Sequence, residues 1–203
     1  MTRRLLLATR SAGKLRELRA LLESAGYAPL DLREAGIDES PAEDALEQYE
    51  TFEENALAKG RYFAARAGLP VLADDSGLEV AALDGAPGVR SKRWSGRTDL
   101  SGDALDRENN ALLIRSLADA TDRRARYVCA AAYVDGNREI VRRGIVSGHI
   151  VAAPRGDGGF GYDPFFESDE LGRTFGEVSA AEKASVSHRA RAVRALVAAL
   201  ERR

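Results

Sequence analysis

Residues 126–151 read RYVCAAAYVDGNREIVRRGIVSGHIV. Two largely apolar runs, 126–134 and 139–151, flank Asp135-Gly136, a dipeptide suited to the tightest hairpin turns. The spacing predicts two antiparallel strands. Outward from this hairpin, strands and helices alternate. Upstream, 4–8 reads as a buried strand. Residues 13–25 read as a helix with Leu15, Leu18, Leu21, Leu22 and Ala25 on one face, ended by Gly26. A short strand is expected at 29–32, and 37–50 is acidic and irregular. A second helix is expected over 51–67, with Thr51 as its cap and Glu53 and Glu54 at the positive end of its dipole. Residues 70–73 form an apolar strand that runs into Asp74-Asp75-Ser76-Gly77, and 78–82 suggests more strand. Residues 87–102 read as a polar loop and 105–117 as an amphipathic helix. Downstream, 155–161 is a Gly-rich loop. The tail is helical, with Ser179 and Glu182 spaced as a capping box. Interleaved helices and strands with one antiparallel hairpin predict an α/β fold on a mixed sheet, in a single domain spanning 1–203.

The chain has 203 residues and a net charge of -2. A basic nucleic-acid coat and a polyacidic tail are excluded as whole-chain properties. No apolar run approaches the length of a membrane span, and the opening stretch is too short in apolar residues for a signal peptide. The one cysteine, Cys129, lies in an apolar strand and reads as an inert core thiol. A cytoplasmic setting is expected. Of the 30 basic residues only four are lysine, namely Lys14, Lys59, Lys92 and Lys183. Codon usage explains the arginines; it does not explain where the lysines fall.

Several stretches could carry chemistry. Thr9-Arg10-Ser11-Ala12-Gly13-Lys14 lies between a strand and a helix N-terminus, a position that favours anions. An ordinary turn with Ser11 near the cap reads the same residues. It is not a Walker A loop, since Leu15 stands where a magnesium-binding hydroxyl belongs. Asp74-Asp75 places two carboxylates at a strand end, where repulsion raises one pKa unless a cation intervenes. Oxygen ligands without His or Cys favour magnesium or manganese. A solvated turn is the alternative. In 156–166, Phe160 and Tyr162 offer faces for stacking a base and Asp163 an acceptor for its edge; aromatics folded back onto the core would look alike. No Ser or Cys constellation suggests a hydrolytic triad.

Five stretches taken together resemble the dITP/XTP pyrophosphatases, also called inosine triphosphatases. They are LLLATRSAGKLREL (5–18), ETFEENALAKG (50–60), LADDSGLEVAALDGAPGVRSKRWSG (72–96), GFGYDPFF (159–166) and EKASVSHRARA (182–192). The resemblance implies a long mixed sheet in two lobes with the active site in the cleft between them, and a homodimer. It implies hydrolysis of non-standard purine nucleotides (ITP, dITP, XTP) to the monophosphate and pyrophosphate, with Mg2+. By position, Thr9, Arg10, Ser11, Ala12, Gly13 and Lys14 would hold the triphosphate. Glu47 and Asp75 would ligate the metal, and Asp75 would also activate water. Ser76 and Lys183 would touch the substrate. Phe160, Gly161, Tyr162 and Asp163 would line the base pocket, and His188 and Arg189 would read the 6-oxo edge. The family commonly has Asn where this chain has Ser11, and Gly where it has Tyr49. A Maf-like nucleotide pyrophosphatase shares the fold but lacks the FGYDP and SHR pair. A non-catalytic nucleotide or RNA-binding module would have no use for a buried carboxylate pair.

Overall fold

The computed structural model describes residues 3–202. Its strands are β1 (Arg3–Leu7), β2 (Tyr27–Asp31), β3 (Val71–Val80), β4 (Arg124–Asp135), β5 (Arg138–Ile150), β6 (Phe166–Ser168) and β7 (Arg173–Thr174). Its α-helices are α1 (Ala12–Ser24), α2 (Phe52–Ala67), α3 (Gly102–Ser116), α4 (Ala180–Val186) and α5 (His188–Glu201). The strands form one sheet in the order β2-β1-β3-β4-β5-β6-β7. β1 pairs in parallel with β2 and β3, whereas β6 runs antiparallel to β5 and β7. Gly136 and Asn137 alone connect β4 to β5, so the hairpin falls where Asp135-Gly136 placed it. The sheet is mixed, as expected.

Caps account for several boundaries. Ser11 accepts the Lys14 N–H, Thr51 accepts the Glu54 N–H, and Ser179 with Glu182 closes a reciprocal capping box. Three expectations need correction. β3 continues through Asp74-Asp75-Ser76-Gly77 rather than ending there. Turn propensity is a local preference; here strand pairing and buried cations override it. The helical tail breaks at Ser187, whose extended backbone separates α4 from α5. The stretches Pro41–Glu47 and Gly88–Arg93 are 3-10 helices rather than irregular chain.

Two compact units emerge. The first comprises residues up to Asp75, Cys129–Gly144 and those from His188 onward; the second comprises Ser76–Val128 and Ile145–Ser187. In the first, alternate residues of β1 feed opposite faces. Leu5 and Leu7 pack with Leu72, Cys129, Leu18 and Leu22 of α1, and Val193 and Leu196 of α5. Leu6 packs with Ala8, Val71, Ala73 and Phe63 of α2. Both faces are covered, so β1 is apolar without alternation. The core of the second unit joins Leu78, Val80, Tyr127, Val146 and Ile150 to Leu113 of α3 and to Phe166 and Phe175. The Tyr127 and Phe166 rings meet edge to face, centroids 4.7 Å apart.

Helix α5 approaches β5 at Gly144. A Cβ there would stand 2.1 Å from the His188 carbonyl oxygen and 2.4 Å from the Ala192 nitrogen. Gly60 is crowded less severely, by the Val134 Cγ2 at 2.7 Å. Backbone cannot yield as a valine methyl can. Gly144→Ala is therefore expected to exceed the roughly 1–3 kcal/mol of ordinary overpacking, lowering Tm by about 5 °C or more, while Gly60→Ala loses less. Thermal unfolding decides this; equal losses would contradict the packing argument.

Candidate active site

Alternation along β3 sets the first unit's chemistry. Asp74 follows Leu72 on the face covered by α1 and α5, and Asp75 follows Ala73 on the face covered by α2. The adjacent carboxylates therefore point apart rather than at each other.

Asp74 has no exposure to water. Lys14 Nζ lies 3.2 Å from its Oδ2, and Arg189 Nε lies 3.1 Å from the same oxygen. Arg189 Nη1 also pairs with Glu17 of α1. Burial raises the Asp74 pKa, but Lys14, Arg189 and Lys59 outweigh it and hold the carboxyl well below the usual range. Lys14 in the first turn of α1 faces an unfavourable dipole, and the anion that compensates is Asp74. The Asp74 Oδ1 atom is buried with no hydrogen-bond partner among the described residues.

Asp75 behaves in the opposite way. Burial raises its pKa, Lys59 and Lys14 offset this in part, and the nearby Glu47 charge raises it further. Asn55 of α2 donates to Asp75 Oδ2 at 2.9 Å. The same amide accepts the Tyr49 N–H at 2.9 Å and donates to the Tyr49 carbonyl, so one side chain ties the turn after Glu47 to Asp75. The Tyr49 side chain is exposed. Lys59 lies in the recognised stretch 50–60, where the resemblance implies no role for it. The structure gives it one: its Nζ donates to Glu47 Oε1 at 2.5 Å and to the Asp74 carbonyl at 2.6 Å. Burial lowers its pKa, yet Glu47, Asp75 and Asp74 together raise it above its ordinary value, so the ammonium stays charged.

Glu47 and Asp75 offer hard oxygen donors, close enough for one charge to bear on the other. Among the described residues no cluster of three or more His, Cys, Asp or Glu suits a metal. Magnesium needs no such cage: one or two carboxylates suffice when substrate phosphates and waters complete its shell. The donor set fits that ion.

The strand-to-helix loop is tied to itself. Ser11 N–H donates to Thr9 Oγ1 at 3.2 Å, and Ser11 Oγ caps α1. Arg10 forks onto Glu43 at 2.8 and 3.1 Å and donates to the Ile37 carbonyl. Ala12 and Gly13 open α1. His188 is buried at the first position of α5.

The second unit holds Ser76, half-buried on β3, and the loop Phe160–Asp163. Asp163 is not left open as an acceptor for a base edge. Its Oδ2 accepts from Phe160 N at 2.8 Å and from Lys183 Nζ at 2.5 Å, and its Oδ1 accepts from Tyr127 OH at 3.3 Å. A Cβ on Gly159 would stand 2.1 Å from this carboxylate, so that glycine admits the protein's own Asp163 rather than a ligand. Tyr162 is not a stacking face either. It is buried in the apolar core and donates its hydroxyl to the Ser91 carbonyl at 2.7 Å. Phe160 is the partly exposed aromatic, and Lys183 Nζ sits 4.8 Å from its ring centre. Gly161 is clamped from α3 by Asp106 and Asn110. Those two and Tyr127 lie outside every recognised stretch, and Glu17 lies inside one without an implied role, because each acts through a partner distant in sequence.

The Ham1 family pattern matches residues 5–199. The dITP/XTP pyrophosphatase of Mycolicibacterium paratuberculosis is 53% identical over 97% of this chain and 95% of its own length. That of Ralstonia nicotianae is 49% identical over 96% and 95%. Among solved structures, a HAM1 protein from Coxiella burnetii superposes with a TM-score of 0.82 at 35% identity, covering 98% of both chains. The nucleoside-triphosphatase / dITP/XTP pyrophosphatase from Mycobacterium abscessus gives 0.70 at 42% identity, covering 98% and 99%. With its motifs in order over nearly the whole length, and with this mixed sheet, the chain belongs to the Ham1 family.

Proposed function

We propose that this protein is a Mg2+-dependent dITP/XTP pyrophosphatase, which hydrolyses deaminated purine nucleoside triphosphates to the monophosphate and pyrophosphate. The observation that carries this reading is the buried Asp75 carboxyl, tied through Asn55 to the turn after Glu47, in a chain half identical to proteins of that name. A carboxylate made more basic by burial is a better proton acceptor for water. Asp75 takes that role. Glu47 and Asp75 would hold magnesium, which supplies neutralisation of charge on the phosphates. Lys14 and the chain from Thr9 to Gly13 hold the triphosphate at the N-terminus of α1. Ser76 and Lys183 contact the substrate. Phe160 gives the base pocket its exposed face, and Gly161, Tyr162 and Asp163 hold that face from behind.

His188 and Arg189 read the 6-oxo edge. Donors set for a keto oxygen lose their partner against adenine's amino group, a mismatch that discriminates strongly. Arg189 has a second task in this scheme, since its Nε and Nη1 already engage Asp74 and Glu17. The substrate is a free nucleotide rather than a nucleic acid, and the setting is a cytoplasmic homodimer. No helix among the described residues is long and apolar enough to cross a membrane.

Pyrophosphate release from ITP, XTP, dITP, ATP, GTP and TTP, with and without magnesium, tests the reading. Strong preference for the first three with magnesium is expected. Equal rates on ATP and ITP would remove the specificity, and orthophosphate alone would remove the reaction. Asp75→Asn should lower kcat by about 10²-fold or more while thermal unfolding stays cooperative, and retained turnover would exclude Asp75 as the base. His188→Ala should narrow the ITP/ATP ratio. Arg189→Met should strip the buried Asp74 of a partner and cost about 3–5 kcal/mol; a Tm within about 2 °C of wild type would show that the ion pair carries little.

A further inference from the structure

The loop containing Phe160 and Asp163 is held by a helix outside every recognised motif. Asp106 and Asn110 of α3 stand four residues apart and so share one face of the helix. Asp106 Oδ2 accepts the Gly161 N–H at 2.8 Å, and Asn110 Nδ2 donates to the Gly161 carbonyl at 2.9 Å. Two side chains one turn apart thus take both backbone polar groups of a single residue. A bond to either group alone would leave Gly161 free to swing about it; two opposed bonds fix its orientation.

The clamp has a rigid base. Asn109, beside Asn110, accepts the Ser95 N–H at 2.8 Å and donates to the Lys92 carbonyl at 3.1 Å. Leu105 and Leu113 of α3 are buried. Helix α3 is therefore anchored both to the chain around Gly88–Arg93 and to the core of the second unit. On the other side of Gly161, Phe160 N–H is held by Asp163 and Tyr162 is sunk in the core. Gly161 is the point where an outside support meets a loop braced from within.

We propose that Asp106 and Asn110 are positioning residues that fix the two peptide units meeting at Gly161 and thereby set how Phe160 meets a purine base. The base-facing half of this proposal rests on the nucleotide pyrophosphatase reading; the clamp itself does not. They act through Gly161, so their effect falls on KM more than on kcat.

Hydrogen–deuterium exchange on the ligand-free protein tests the clamp. Asp106→Ala and Asn110→Ala should accelerate exchange across 158–163 by about tenfold or more while β1 and β3 stay protected. Asp106→Asn, whose amide oxygen still accepts, should restore slow exchange. Steady-state kinetics on ITP test the consequence: both alanine variants should raise KM about 5–20-fold with kcat within about twofold, and Asp106→Asn should return KM toward wild type. Unaltered exchange in both alanine variants would overturn the clamp. Faster exchange with unaltered KM would overturn its link to the base. If the wild-type protein releases no pyrophosphate from ITP, the functional reading falls, and the exchange experiment alone decides the clamp.

Discussion

A carboxylate sealed from water can be ionised only where cations are built around it. Asp74 is such a group, and the first unit is arranged to meet that demand. Lys14 brings the N-terminal turn of α1 to its Oδ2, and Arg189 brings α5 to the same oxygen. Lys59 brings α2 to its backbone carbonyl. Three helices separated widely in sequence are thereby tied to one residue of the sheet. The apolar clusters around Leu18, Phe63 and Val193 supply most of the burial; the charges fix which residues of each helix stand beside β3.

The same arrangement sets the two neighbouring carboxyls against each other in acidity. Lys14, Lys59 and Arg189 stand among Glu17, Glu47, Asp74 and Asp75, and they do not act on the two neighbouring carboxyls equally. Asp74 takes the close contacts of Lys14 and Arg189 and stays ionised. Asp75, on the opposite face, accepts from the Asn55 amide, and burial together with the Glu47 charge outweighs Lys59 and Lys14, so its pKa rises. Carboxyls driven apart by their surroundings are the pattern expected where one serves structure and another serves proton transfer.

Much of the fold was legible because its signals are local. The Asp135-Gly136 turn, the Thr51 cap and the Ser179–Glu182 box each need only a few residues of sequence, and each stands where expected. The candidate site was legible only as far as its motifs. Asp74-Asp75 reads as a carboxylate pair in need of a cation, with a solvated turn as the alternative, and nothing local shows that Lys14 and Arg189 meet Asp74 from 60 and 115 residues away. Asp163 reads as an open acceptor until Tyr127 and Lys183 are seen filling it. Asp106 and Asn110 carry no signal, since their partner Gly161 lies 55 and 51 residues downstream. What escaped sequence reading is contact made between distant segments by ordinary polar residues.

Three of the four lysines follow from the same geometry. In a chain that uses Arg by default, Lys14, Lys59 and Lys183 each pair with a buried or half-buried carboxylate through a single ammonium. Lys183 must also fit its charge between the Phe160 and Phe175 rings, 4.8 and 5.3 Å from their centres. Lys59 must place one group against both a carboxylate and a carbonyl. A compact ammonium with three rotatable donors meets these demands; a planar guanidinium is wider and fixed in its directions. Arg189 stands where the requirement is the reverse, with two carboxylates, Asp74 and Glu17, to be bridged by one side chain. A guanidinium donates from Nε and Nη1 in different fixed directions and so spans them, which a single ammonium nitrogen does not. At Lys14, Lys59, Lys183 and Arg189 the basic residue present thus suits whether a compact charge is needed or two carboxylates are to be bridged.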